Sequence, residues 1–143
     1  MKKISLKFLG EPVAKGRPKI SSFGGFARAY TPKKTRMAEA DIRAQLMPQL
    51  PEGWNAMEGP VSMTAIFYRT RPKSTSKRLN YPITKPDLDN LLKLLTDSLS
   101  GIIFKDDAQI ILLTAWKQFG EPSIAVELEE LETMSPKPDK KKR

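Results

Sequence analysis

Pro86-Asp87-Leu88-Asp89-Asn90-Leu91-Leu92-Lys93-Leu94-Leu95-Thr96-Asp97-Ser98-Leu99-Ser100-Gly101 decides the architecture. Leu88, Leu91, Leu92, Leu95 and Leu99 recur at the spacing of one buried helical stripe. Pro86 fixes its own backbone angle and ends the extended segment before it, so the helix starts just beyond. Gly101 stands where a left-handed C-terminal cap belongs. Strand patterns lie on both sides of this helix. Residues 60–70 alternate, with Val61, Met63, Ala65 and Phe67 on one face. Residues 109–119 are rich in β-formers, among them Ile110, Ile111, Thr114 and Trp116. Residues 123–131 alternate through Ile124, Val126 and Leu128, and residues 3–9 through Ile4, Leu6 and Phe8. The sum is an α+β domain with about four strands.

A second main helix is expected from Lys33 to about Met47, opened by a Thr31 cap with Pro32 at the first helical position. Met37, Ala40, Ala44 and Met47 should face its core, and Pro48 and Pro51 close it. The segment from Lys15 to Arg28 reads as a loop rich in Gly, Ser and basic residues, with Phe23, Phe26 and Tyr30 interleaved. Such aromatics either stack on unpaired bases while the cations meet phosphates, or pack back on the core. Arg69 to Arg78 forms a second basic loop. From residue 135 onward the chain has nothing apolar to bury, so residues 1–132 form the domain and residues 133–143 a disordered basic tail.

Composition narrows the chemistry. The chain has 143 residues, 39% of them apolar, enough for one domain with a modest core. No apolar run approaches the ~20 residues that span a bilayer, and Lys7, Glu11 and Lys15 interrupt any secretory signal. No membrane partner is expected. Cysteine and histidine are both absent. Disulfides, thiolate zinc sites, the usual general base and the common catalytic triads are thereby excluded. A metal here must be held by oxygen, which favours Mg2+ or Mn2+. The formal net charge is +9, with 25 Lys and Arg against 16 Asp and Glu. That field attracts polyanions.

Against this basic background, the carboxylates around the leucine-striped helix stand out. Asp87 and Asp89 are about 200° apart on a helical wheel, so they converge only if Asp87 is still outside the helix. Asp87 could otherwise serve as an N-cap and Asp89 as an acid placed against the helix dipole. Lys93 follows Asp89 by one turn, and Asp97 follows Lys93 by another and could pair with it. Asn90 could cap or bond a carboxylate. Asp106-Asp107 alone would pass for a polar turn. The helix is short, however, and the return through Ile102-Ile103-Phe104 can bring Asp107 back toward Asp89. Carboxylates packed together repel unless protonated or neutralised by a cation. One or two Mg2+ ions would serve, with Lys93 beside a scissile phosphate.

These motifs, Lys85-Pro86-Asp87-Leu88-Asp89-Asn90-Leu91-Leu92-Lys93, Asp97, Gly101-Ile102-Ile103-Phe104 and Asp106-Asp107-Ala108-Gln109-Ile110, resemble the signature of the RusA-type Holliday junction resolvases. Gly10-Glu11-Pro12-Val13-Ala14-Lys15-Gly16-Arg17-Pro18 and Tyr30-Thr31-Pro32-Lys33 resemble that family's opening, and the likeness runs over residues 4–128. The resemblance implies a small mixed sheet with two main helices, a homodimer, and Mg2+- or Mn2+-dependent endonuclease action on four-way junction DNA. It needs no nucleotide cofactor. It assigns metal binding to Asp87, Asp89 and Asp107, with the adjacent acid Asp106 as a further metal residue, and a catalytic role to Lys93 together with Asp87, Asp89 and Asp107. The setting it implies is cytoplasmic, at the nucleoid, with a phage or prophage origin. Phosphate contacts are expected at Lys15, Arg17, Lys19, Arg28 and Lys33, then at Arg69, Arg71 and Lys73. The basic tail and the long Arg69–Arg78 loop depart from the family pattern. Two other readings remain open: a nucleic-acid-binding module without catalysis, and a nuclease for other branched DNA or structured RNA.

Overall fold

The computed structural model describes residues 2–16, 19–23, 26–30 and 32–138, with backbone alone for 19–23 and 26–30. Ten elements follow in order: β1 (Lys3–Leu9), β2 (Lys19–Phe23), β3 (Phe26–Tyr30), α1 (Lys33–Leu46), a 3-10 turn (Met47–Gln49), β4 (Val61–Arg69), α2 (Leu88–Leu99), a second 3-10 turn (Asp107–Gln109), β5 (Ile110–Phe119) and β6 (Ser123–Glu130). Residues 131–138 carry no helix or strand.

The main sheet has four strands in the order β1-β6-β4-β5. β6 runs antiparallel to both β1 and β4, and β4 runs parallel to β5. A parallel pair needs a crossover rather than a tight turn, and α2 supplies it between β4 and β5. The expected α+β class and mixed four-stranded sheet with two helices are therefore what the chain forms. The alternation read from the sequence is realised in β1 and β4, where every second residue is buried.

Ile4, Leu6 and Phe8, then Val61, Met63, Ala65 and Phe67, then Ile124, Val126 and Leu128 make the inner sheet face. Ile42 and Leu46 of α1 close over it, with Leu91, Leu94, Leu95 and Leu99 of α2. Leu95 is fully buried, so truncation to Ala would cost about 2–5 kcal/mol. Leu88 and Leu92, expected on the same stripe, are half-buried at its margin.

Three expectations need correction. The segment from Lys15 to Arg28, read as a loop, holds a hairpin. β2 and β3 pair antiparallel, with Phe23 opposite Phe26 across a two-residue connection. Gly24-Gly25 between residues of strand type was the signal for it. The buried face of α1 is also not the Met37, Ala40, Ala44 and Met47 face, all of which is exposed. Thr35, Glu39, Ile42 and Leu46 face inward instead. Ile42 and Leu46 bury more apolar surface than the alanines could, and Glu39 tolerates the interior because two cations reach it. The helix begins at Lys33 as expected, but the cap is not the one read from the sequence. Pro32 is its N-cap, and Thr31 lies outside the described residues.

Candidate active site

The entry to α2 is built from backbone first. Asp87 is the N-cap residue in an extended conformation (φ −72°, ψ 144°), and Leu91 N–H donates to its carbonyl at 3.1 Å. Its carboxylate makes no capping hydrogen bond. Asp87 thus lies outside the helix, the condition under which it and Asp89 can face a common point. Asp89 occupies the first turn, where the helix dipole favours a negative charge. Both side chains are exposed, and among the described residues neither takes part in an ion pair.

Three bonds hold the chain just before Asp87. Arg69 Nη1 donates to the Lys85 carbonyl at 2.7 Å. Lys117 Nζ donates to the Thr84 carbonyl at 3.0 Å and the Pro86 carbonyl at 3.1 Å. The carbonyls of three successive residues are therefore tied to the ends of β4 and β5.

The return path is equally fixed. Gly101 adopts φ 86°, the left-handed conformation anticipated from its position. Its N–H donates to the Phe104 carbonyl at 2.7 Å. Ile103 and Phe104 are fully buried. Met57 N–H donates to the Ile103 carbonyl at 2.8 Å, and Gln109 Nε2 donates to the carbonyls of Met57 and Gly59 at 2.8 and 2.9 Å. Asp106 is the N-cap residue of the turn, its N–H donating to Gln109 Oε1 at 2.8 Å.

This return brings Asp107 to the helix. Lys93 Nζ lies 3.6 Å from Asp107 Oδ2 and 3.3 Å from Asp97 Oδ1. Asp97, by hydrogen bond and charge, and Asp107 after it hold the Lys93 pKa above the ordinary lysine value. Lys93 is therefore a firmly charged ammonium, available as a donor and not as a base. Asp97 Oδ2 also accepts from Lys15 Nζ at 2.6 Å. Lys15 lies 3.7 Å from Glu39 Oε1, and Arg43 Nη2 lies 3.7 Å from Glu39 Oε2.

The donor set of Asp87, Asp89 and Asp107 is all carboxylate oxygen, which suits a hard divalent cation. The three do not form a ready-made cage. Among the described residues no group of three or more acids is placed as metal ligands. Carboxylates without a neutralising cation stand apart, and Asp107 meanwhile faces Lys93.

The expected phosphate contacts divide sharply. Lys33 and Lys73 are exposed. Lys15 is committed to Asp97 and Glu39. Arg69 is committed to Lys85. Arg71 Nη1 donates to the carbonyls of Ser76 and Leu79, both at 2.9 Å, and its guanidinium stacks 4.2 Å from the Phe119 ring. These arginines organise the loop after β4. Arg17 lies outside the described residues, as do the side chains of Lys19 and Arg28. Sequence reasoning missed Lys117. Its signal is the one charged residue of β5, on the same face as Phe67 of β4. It also missed the pairing of Lys15 with Glu39, for which nothing local gave a sign.

The chain is similar to known proteins over most of its length. The family described as Endodeoxyribonuclease RusA matches residues 10–129. Bacillus subtilis (strain 168) has a similar protein, uncharacterized protein YqaN, 35% identical over 139 residues, or 90% of this chain and 96% of the relative. The crossover junction endodeoxyribonuclease rusA of Lactococcus phage r1t is 30% identical over 92 residues, or 63% of this chain and 70% of the relative.

Proposed function

This chain belongs to the RusA endodeoxyribonuclease family, and on that premise we propose that it is a divalent-metal-dependent nuclease that resolves four-way DNA junctions as a homodimer. The observation that carries the reading is the approach of Asp107 to Lys93 at 3.6 Å. One acid and one lysine separated in sequence thereby meet on α2, and Asp87 and Asp89 stand exposed and uncommitted at the N-terminal entry of the same helix.

Asp87, Asp89 and Asp107 would hold Mg2+ or Mn2+. Once bound, the ion supplies Lewis acidity and positive charge at the scissile phosphate. Lys93 presents its ammonium to the phosphate oxygen on which negative charge develops, where a preorganised donor is most effective. Asp106 closes its turn with Gln109 and serves the site by fixing its neighbour. Lys33 and Lys73 offer exposed charge to the DNA backbone, and Arg17, Lys19 and Arg28 belong to the same set. The phage relative supports a phage or prophage origin, and action on junction DNA would set the protein at the nucleoid. No helix among the described residues is long and apolar enough to cross a membrane.

The test uses pure protein with a labelled four-way junction, a duplex and a single strand, each with and without Mg2+. Paired nicks should appear on the junction alone and require the metal. Asp89→Asn should slow cleavage by about 100-fold or more while junction binding holds or tightens, since a phosphate-repelling charge has gone. Binding with a steep salt dependence and no cleavage would instead identify a module that only binds nucleic acid. Cleavage of flaps or structured RNA in preference to junctions would move the substrate class.

A further inference from the structure

We propose that Asp97 is the positioning residue for Lys93, with Lys15 as its support. The inference rests on the reading of Lys93 as the group that faces the scissile phosphate. A lysine ammonium rides on a flexible four-carbon stem and has no preferred direction of its own. The Lys93 side chain is 55% exposed, so packing does not aim it. Asp97 does, through Oδ1 at 3.3 Å, while its Oδ2 is held by Lys15 at 2.6 Å.

Helix stability does not account for Asp97. An acid four residues after a lysine is the weaker order for a helical ion pair. A carboxylate near the C-terminal end also opposes the helix dipole. Its partners are nevertheless fixed with care. Lys15 N–H donates to the Asn90 carbonyl at 2.9 Å, and Gly16 N–H donates to Thr35 Oγ1 at 2.9 Å, so the segment bearing Lys15 is pinned between the two helices. Arg43 Nη2 donates to the Asp97 carbonyl at 3.1 Å. Arg43, Glu39, Lys15, Asp97, Lys93 and Asp107 thus form a row of alternating charge. It begins at Arg43 of α1, passes through Glu39, an acid nearly buried on the same helix, and ends at the site. Lys15 therefore acts within this row rather than on DNA phosphate.

The experiment compares single-turnover junction cleavage by the full chain and its variants at saturating Mg2+. Asp97→Asn should lower the rate by about 10- to 100-fold while junction affinity stays within about twofold, and Asp97→Glu should recover part of the loss. Lys15→Met should share the defect. In a Lys93→Met background Asp97→Asn should add nothing, because residues acting as one unit are not additive. A readout independent of cleavage is the 15N resonance of the Lys93 ammonium. It should be visible and slowly exchanging in the wild type and lost in Asp97→Asn. Wild-type rates in Asp97→Asn and Lys15→Met, a full additional loss on Lys93→Met, or an unmoved Lys93 resonance would each overturn the proposal. A wild type that cuts no junction defeats the functional reading instead, and the resonance still decides the contact.

Discussion

Lys117 illustrates how one side chain can place another without touching it. Its ammonium reaches the carbonyls of Thr84 and Pro86, and Arg69 takes the Lys85 carbonyl between them. Asp87 is the next residue, and its carboxylate has no partner of its own among the described residues. The backbone before it must therefore set its direction. Lys117→Met keeps the stem and removes both donors. A small displacement of a reacting group is costly, so the rate of junction cleavage should fall by about tenfold with junction binding unchanged. Equal rates for the variant and wild type, measured under single turnover, would show that Asp87 is held by other means. The approach of Asp107 to Lys93 was legible in the sequence because a short return follows the helix. Lys15, Arg69 and Arg71 were not. A basic loop residue reads the same whether it meets a phosphate, a carbonyl or a carboxylate, and Lys15 finds Asp97 across 82 positions.

At the scale of elements, Glu130 at the end of β6 ties that strand to the turn before β4. The N–H groups of Glu58 and Gly59 both donate to Glu130 Oε2 at 2.9 Å. The Gly59 bond first, and the Glu58 bond and nearby Lys2 after desolvation opposes them, hold the Glu130 pKa below the ordinary glutamate value. A carboxyl with a depressed folded pKa contributes stability above its unfolded pKa and loses it as pH falls through the folded one. Glu130→Gln should therefore destabilise the protein by about 1 kcal/mol at pH 7, the contact being partly exposed. The difference should shrink toward zero below about pH 4, as denaturant titrations across that range would show. An unchanged difference at low pH would mean that geometry rather than charge makes the bond. Strands β1, β4 and β6 were legible because each buries one face, alternating strictly in β1 and β4 and from Ile124 onward in β6. Helix α1 was legible in its bounds but not in its inward face, which includes Thr35 and Glu39. A buried acid makes sense only once Lys15 and Arg43 are known to reach it, and apolar periodicity carries no trace of that.

For the whole molecule, the two edges of the main sheet are treated differently. The β1 edge is covered within the chain along its Lys7–Leu9 half. Gln45 of α1 exchanges two bonds with the backbone of Leu9, at 2.7 and 3.0 Å, and Gln49 does the same with Lys7, at 2.9 and 2.8 Å. The β5 edge has no such cover among the described residues. Edge strands are usually kept short or charged to prevent pairing. β5 runs for ten residues with one charge, Lys117. It exposes Ile111 at 67%, Leu112 at 56%, Leu113 at 46% and Trp116 at 36%. The register with β4 skips a residue at Ile111, a bulge that turns the strand just after the acids of the site. A second copy of the chain fits these features. Two β5 strands related by a two-fold axis would complete each other's ladder and bury the apolar side chains, and stable pairs bury about 800 Å² per partner. The arrangement would also set two sites on one junction, whose two equivalent strands must both be cut. Ile111→Glu with Leu113→Glu places like charges across that axis without touching the core. Sedimentation should move from dimer to monomer. A supercoiled plasmid carrying a cruciform should then give nicked circles where the wild type gives linear product, because the two cuts no longer fall within one encounter. A wild type that sediments as a monomer at micromolar concentration, or a double variant that remains dimeric and still linearises the plasmid, would place the partner on another surface.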